Sequence, residues 1–382
     1  MAAMTPRERV LTALAHQEPD RVPVALGGGP YGLVDSLYFR LLAALELGEP
    51  VAPFRRGFNI SYLDDRVLEC LGVDFRYVWP GDSPNGPAHT LDDQRFLDSF
   101  GQEWIRAAPY YYAGPALLAG AENVADIDRL VHWPDTTDPR WTTGVAERAA
   151  ALHTGGEFFV AARMVTSYGP YQTASNLRGA EQFLIDLALN EEFAAHLIER
   201  VTDTIAGLLR AYLHAGGQYF DLVELPGDDY AGNTNLLMSP VMFRKYFKPA
   251  LARLVGIVKD YRPEITVMLH SDGKIAPLLP DLIEIGVDVV HPLEPLPGVD
   301  LGQIKQQFGD RLSFLGAIDI SHAMPGSLDD VRAEARRRIA ELAPGGGYIL
   351  APSNHLQDDV PAENVIALFA AAREFGRYPL EA

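Results

Sequence analysis

The sequence predicts an α/β chain folded as a single (β/α)₈ (TIM) barrel with an insertion in its first half. Three observations predict it. Eight short apolar, β-branched or aromatic runs are separated by helix-period segments. Glycines precede the later strands (Gly216, Gly217, Gly286 and 345–347), where the end of a helix is expected. The runner-up, a doubly wound sheet, would carry a glycine fingerprint at its first turn. "GGGPYG" at 27–32 is not G-x-G-x-x-G opening a helix.

In chain order, "TPRERVLTALAHQ" opens a helix with Thr5 as N-cap, Pro6 in the first turn and Glu8 completing a capping box. "RVPVAL" (21–26) follows as the first strand. The next strands are expected at 73–79, 158–165, 219–225, 265–270, 287–291, 312–316 and 347–351. Helices are expected at 181–213, 240–260, 275–285, 328–342 and 362–375. Residues 80–157 break the alternation. They hold "GDSPNGPAH", a hairpin-like "RFLDSFGQEWIR" and a Trp/Pro-rich connection, and are expected to cover the barrel mouth. No linker divides the 382 residues, so 1–382 read as one domain.

Composition narrows the function classes. The chain is 48% hydrophobic and 22% charged, with a net charge of −19. That charge argues against nucleic acid or an anionic membrane as partner. A small anionic substrate stays open, because one local cation can outweigh a distant acidic surface. Cys70 is the single cysteine, so an intrachain disulfide and a thiolate metal cluster are both excluded. No apolar run is long enough to span a bilayer and "MAAMTPRERV" lacks an apolar signal core, so a cytoplasmic setting is the expectation.

In such barrels the chemistry sits at the C-terminal strand ends. Those ends offer Tyr31; Arg163 and Tyr168; Glu224, Asp228 and Asp229; His270 and Asp272; His291 and Glu294; and Asn354 with His355. Histidine with carboxylates is a ligand set for Zn²⁺ and similar cations, and serves equally for acid–base work. "ITVMLH" delivers His270 to the rim, and Asp272-Gly273 turns the chain away at once. The bland alternatives are a hydrogen-bonded structural histidine at 291, a loop-capping Glu294 and a turn built on "GDDY" (227–230). Trp79 or Tyr110–Tyr112 are expected to line the pocket.

Several segments resemble the uroporphyrinogen decarboxylase superfamily. These are "PRERVLTALAHQEPDRVPV", "LLMSPVMFRKYFKPAL", "HSDGKIAPLLPDLIEIGVDVVHPLEP", "GDRLSFLGAID" and "PGGGYILAPSNHLQDDVPAENVIALFAAAREFG". The resemblance implies a single (β/α)₈ barrel and one of two chemistries. These are cofactor-free decarboxylation, and methyl transfer with corrinoid proteins where zinc activates an acceptor or donor. After the first strand, decarboxylases of the superfamily carry an arginine-containing segment, where this chain has "LGGGPYG". The zinc thiol methyltransferases use His-x-Cys and a late Cys, where this chain has His270-Ser271-Asp272 and the region of Asn354.

The resemblance therefore implies a metal-assisted methyltransferase or demethylase for a small methylated or methoxylated compound, with a corrinoid protein as partner. The expected metal ligands are His270, Glu224, Asp272 and His355, holding Zn²⁺. Asp228, Asp229 and Glu294 are the expected proton carriers. Tyr31, Trp79, Tyr111, Tyr168 and His291 are the expected substrate contacts. The alternative is a metal-free decarboxylase using Asp228 and Arg163 on a carboxylic acid; a non-catalytic ligand-binding barrel is the third reading. Family precedent makes a homodimer the expected assembly.

Overall fold

A computed structural model describes residues 3–51, 62–81, 89–107 and 110–380. In chain order the strands are β1 (Phe75–Val78), β2 (His89–Thr90), β3 (Arg95–Leu97), β4 (Glu103–Ala107), β5 (Tyr110–Ala113) and β6 (Phe159–Ala162). They continue with β7 (Leu222–Glu224), β8 (Thr266–His270), β9 (Val289–His291), β10 (Ser313–Ile318) and β11 (Tyr348–Pro352). β1 and β6–β11 form one parallel sheet in the order β1-β6-β7-β8-β9-β10-β11. Both faces are covered, which is why runs such as "FVAA" and "VVH" are apolar or buried throughout.

The sheet closes through the predicted first strand. Leu350 N–H donates to the Pro23 carbonyl, Ala25 N–H donates to Leu350, and on the other side Asp74 N–H donates to Val24. Residues 22–26 thus lie between β11 and β1, but only Val24 pairs as a bridge, to Leu350. Pro23 has no N–H, and Gly27, at φ 98°, turns the chain away, so no longer ladder can form. Asp74 ties this segment down. Its carboxylate accepts from Arg9 Nη1 at 2.6 Å, Arg21 Nη2 at 2.8 Å and Val24 N–H at 2.8 Å.

Helices fill the crossovers. The capping box at Thr5 and Glu8 forms at the head of Pro6–Leu14. The run predicted at 181–213 is two helices, Ala180–Leu189 and Glu191–Gly216, broken at Asn190. Pro240–Tyr261, Leu328–Leu342 and Ala362–Phe375 match their expected spans. Residues 276–284 begin as a 3₁₀ turn before the helix Leu279–Glu284.

The predicted hairpin is the centre of a four-stranded antiparallel sheet, β2-β3-β4-β5. "GDSPNGPAH" lies outside the described residues except at its two ends. Among the described residues, no helix is long and apolar enough to cross a membrane.

Candidate metal centre

Strands β8 and β9 run parallel in a register that sets His270 opposite His291. Both imidazoles therefore emerge side by side at the C-terminal rim. His270 Nδ1 lies 2.9 Å from His291 Nδ1, and His291 Nε2 lies 3.1 Å from the Pro352 carbonyl. The other face of His270 looks outward. Its Nε2 is 3.6 Å from Asp229 Oδ1 and 3.8 Å from Asp272 Oδ2.

These three residues form a group whose ligand atoms all lie within 4.8 Å of one another. Further hydrogen bonds fix the carboxylates. Asp272 N–H donates to Asp229 Oδ1 at 2.9 Å, and Asn354 Nδ2 donates to Asp272 Oδ2 at 2.5 Å. Asp272 Oδ1 is buried with no hydrogen-bond partner. Glycines make the space: a Cβ on Gly227 would stand 2.6 Å from His270 Cδ2, and one on Gly273 (φ 86°) would meet the Ala231 backbone at 2.6 Å.

The electrostatics suit a cation. Burial lowers the His270 pKa, against the pull of Asp229, and keeps a basic nitrogen unprotonated. Burial and the neighbouring carboxylates of Asp229 and Glu294 push Asp272 well above the carboxylate range. A divalent ion would relieve that repulsion and satisfy the orphaned oxygen. One imidazole and two carboxylates are a hard N/O set that fits Zn²⁺ with an open position. A thiolate site is absent here, as Cys70 is exposed on the helix Asp65–Leu71.

The group lies in a cavity of about 660 Å³ lined also by Trp104, Tyr111, Tyr112, Met164, Tyr168, Gln172, Asn354 and His355. Its size is that of a small-molecule site. Trp104 of β4 stacks on Tyr168 at 5.8 Å between ring centroids, and Tyr111 packs edge-on against Phe96. Among the described residues no Lys or Arg lines it.

With this geometry in hand, the uroporphyrinogen decarboxylase (URO-D) family model matches residues 111–375. The chain belongs to the URO-D family. Its relatives divide between two chemistries. A methylcobamide:CoM methyltransferase, MtaA, of Methanosarcina barkeri is 27% identical over 208 residues, which is 54% of this chain and 56% of that protein. Uroporphyrinogen decarboxylase 2 of Arabidopsis thaliana is 24% identical over 273 residues, 68% of this chain and 63% of that one. The chain thus spans less than two thirds of these relatives. A solved methyltransferase from Methanosarcina mazei shares the fold, with a TM-score of 0.67 at 21% identity, covering 98% of this chain and 99% of that one.

This URO-D family member does not gather every residue singled out from its sequence. His270, Asp272, Asp229, His355, Tyr111 and Tyr168 reach the cavity. Asp229, expected to carry protons, stands instead among the ligand atoms. His355 is outside that group, and its Nδ1 accepts from Gly32 N–H at 3.0 Å.

Glu224 also lies outside that group. It is buried below the rim, accepting from Gly29 N–H and the Tyr31 hydroxyl, each at 2.7 Å. Its partners explain "GGG": a Cβ on Gly28 or Gly29 would stand 2.4 or 2.9 Å from the Glu224 carboxylate. Tyr31 is thereby a structural donor, fully buried beside Glu224, rather than a cavity contact. Arg163 is likewise buried, donating to the Gly28 carbonyl and lying over the Tyr62 ring. Trp79 sits off the cavity, stacked on Tyr62 with Arg148 over its ring.

Asp228 and Glu294 each accept backbone N–H groups. Glu294 accepts from Gly273 N–H at 2.8 Å, holding the turn after β8. Asp228 caps the helix Pro170–Arg178, whose own N-cap, Gly169, has no side chain to do so. It accepts from Tyr171 N–H, Gln172 N–H and the Tyr230 hydroxyl at 2.8–2.9 Å. Burial pushes its pKa up to about 7 against those three donors. Asp228→Asn would set an amide N–H₂ against buried donors. It is expected to cost about 1–3 kcal/mol in urea unfolding, and an unchanged midpoint would contradict the capping role.

Three contributors were missed, the first being Trp104 in the cavity wall. Asn354 orients Asp272, and Gly227 clears the space for His270. Asn354 stood at a recognised strand end, but nothing local marks it as the partner of a residue 82 positions away.

Proposed function

We propose that the protein is a metal-assisted methyltransferase or demethylase acting on a small methylated or methoxylated compound, with a corrinoid protein as methyl acceptor. The observation that carries this reading is the Asp229–His270–Asp272 cluster opening into an aromatic-walled cavity. The methyltransferase relative supports the reaction class, and its name, a methylcobamide:CoM methyltransferase, supports a corrinoid partner.

When bound, a divalent ion would supply Lewis acidity to a methoxy or carbonyl oxygen of the substrate. The chain's own residues do the rest. His270, Asp229 and Asp272 would hold the ion, with Asn354 keeping Asp272 in place. Trp104, Tyr111 and Tyr168 would orient the substrate and keep water from the methyl group. In the transfer, the bond from methyl carbon to donor atom would break, the donor keeping the electron pair and taking up a proton from solvent, while the acceptor, a reduced cob(I) corrinoid, would supply the pair for the new bond to the methyl carbon. We take the chain as one unit with residues 80–157 as a cover; Trp104, Tyr111 and Tyr112 in the cavity wall support that.

The decarboxylase alternative is less well supported. A carboxylic acid or porphyrinogen-like substrate needs a cation to hold its carboxylate, and Arg163, the expected one, is buried and donates to the Gly28 carbonyl. A retained ligand cluster speaks against the non-catalytic reading.

The test is turnover of the zinc-loaded protein with a panel of methylated donors and free cob(I)alamin as acceptor, beside uroporphyrinogen. Methylation of the corrin is the expected result, while release of CO₂ without it would sink the proposal. Tyr111→Ala is expected to raise KM about tenfold with a nearly unchanged melting temperature. A purely thermal effect would remove Tyr111 from the site.

A further inference from the structure

We propose that His291 is a positioning residue that locks His270 in the tautomer whose Nε2 carries a bare lone pair, and so primes that nitrogen to bind a cation. The inference rests on the metal reading of the site and deepens it.

The proton bookkeeping follows from the partners. The Pro352 carbonyl can only accept, so His291 Nε2 must carry a hydrogen to make its 3.1 Å contact. His291 is fully buried and, among the described residues, forms no ion pair with a carboxylate, so burial favours its neutral form. A neutral imidazole with Nε2 protonated has a bare Nδ1. That Nδ1 lies 2.9 Å from His270 Nδ1, so His270 must be the donor there. In its neutral form His270 then has no hydrogen left for Nε2, the atom that faces Asp229 and Asp272. A free imidazole prefers the opposite tautomer, with hydrogen on the nitrogen corresponding to Nε2. The relay His270–His291–Pro352 reverses that preference before any ion arrives.

The surroundings hold the relay in place. The Tyr31 ring packs on His291 with centroids 4.9 Å apart, and a Cβ on Gly316 would approach His291 Cδ2 to 3.2 Å. The strand register supplies the rest, since His270 and His291 are paired positions on β8 and β9. In this arrangement a histidine and a backbone carbonyl do what a carboxylate partner often does for a metal-ligating imidazole.

The test compares wild type, His291→Phe and His291→Asn. Phe keeps the bulk without an acceptor, whereas Asn restores a carbonyl oxygen near the Nδ1 position. Long-range ¹H–¹⁵N NMR of the metal-free proteins reads the His270 tautomer directly. Zn²⁺ affinity is then measured by chelator competition.

The expected result is an Nδ1–H tautomer of His270 in wild type and His291→Asn, and loss of that tautomer in His291→Phe. Zn²⁺ affinity should fall roughly 10–100-fold in His291→Phe and recover most of the loss in His291→Asn. An Nε2–H tautomer in the wild type overturns the proposal, whatever the metal does. Equal Zn²⁺ affinity in wild type and His291→Phe overturns it as well, while leaving the metal centre standing. Absence of Zn²⁺ binding in the wild type overturns both.

Discussion

Under the proposed function, His270→Ala is expected to abolish binding of a divalent cation and to cost roughly a hundredfold or more of methyl-transfer activity, while the metal-free fold survives. The cluster explains the size of the effect. Without the imidazole, two carboxylates remain, and Asp229 is braced by the backbone N–H of Asp272 rather than by a cation. The metal-free variant should lose about 1–2 kcal/mol, because His291 Nδ1 is left without its donor. The two effects separate cleanly in a melt. At a free concentration a hundred times Kd, the ion should stabilise the wild type by about 2.7 kcal/mol. The same ion should leave His270→Ala unmoved. A variant that keeps a metal-dependent shift would show that the ligands lie elsewhere.

Asp74→Ala is expected to destabilise the protein by about 3–5 kcal/mol. Asp74 has a fully buried side chain and holds Arg9, Arg21 and the Val24 N–H at once. Arg9 keeps Asp20 as a partner at 2.6 Å, but Arg21 loses both of its bonds to a buried carboxylate. The loss falls where the barrel closes, since residues 22–26 have few ladder bonds of their own. Chemical denaturation checks it, and a change below about 1 kcal/mol would mean that closure does not depend on this network.

How much of this was legible in the sequence depends on the length scale of each signal. The barrel shows in the alternation of strand and helix, because each strand is buried on both faces and each helix on one. The capping box of Thr5 and Glu8 is equally local. His270 and Asp272 stand out because an apolar strand ends on them. The first strand is shorter than its pattern, because Pro23 withholds a donor and Gly27 leaves the sheet.

The carboxylates were the hard part. Glu224, Asp228, Asp229 and Glu294 all stand at strand ends and look alike in one dimension. What separates them is where distant backbone contacts leave their oxygens relative to His270. Glu224 is claimed by Gly29, Asp228 by Tyr171 and Gln172, and Glu294 by Gly273. Asp229 also accepts a backbone N–H, yet it alone of the four stands among the ligand atoms with His270. No spacing rule encodes that difference. Trp79 lies off the cavity for a similar reason, since its ring is covered by Tyr62 and Arg148 from separate segments.

The central claim is a hard-ligand metal centre built from Asp229, His270 and Asp272, and zinc-edge X-ray absorption on the stripped and reloaded protein tests it most directly. The account predicts one Zn²⁺ per chain, with only nitrogen and oxygen scatterers at ~2.0–2.2 Å, and loss of the ion in an Asp229→Asn/Asp272→Asn double variant. A sulfur shell near ~2.3 Å, or no stoichiometric zinc under any loading condition, would contradict it.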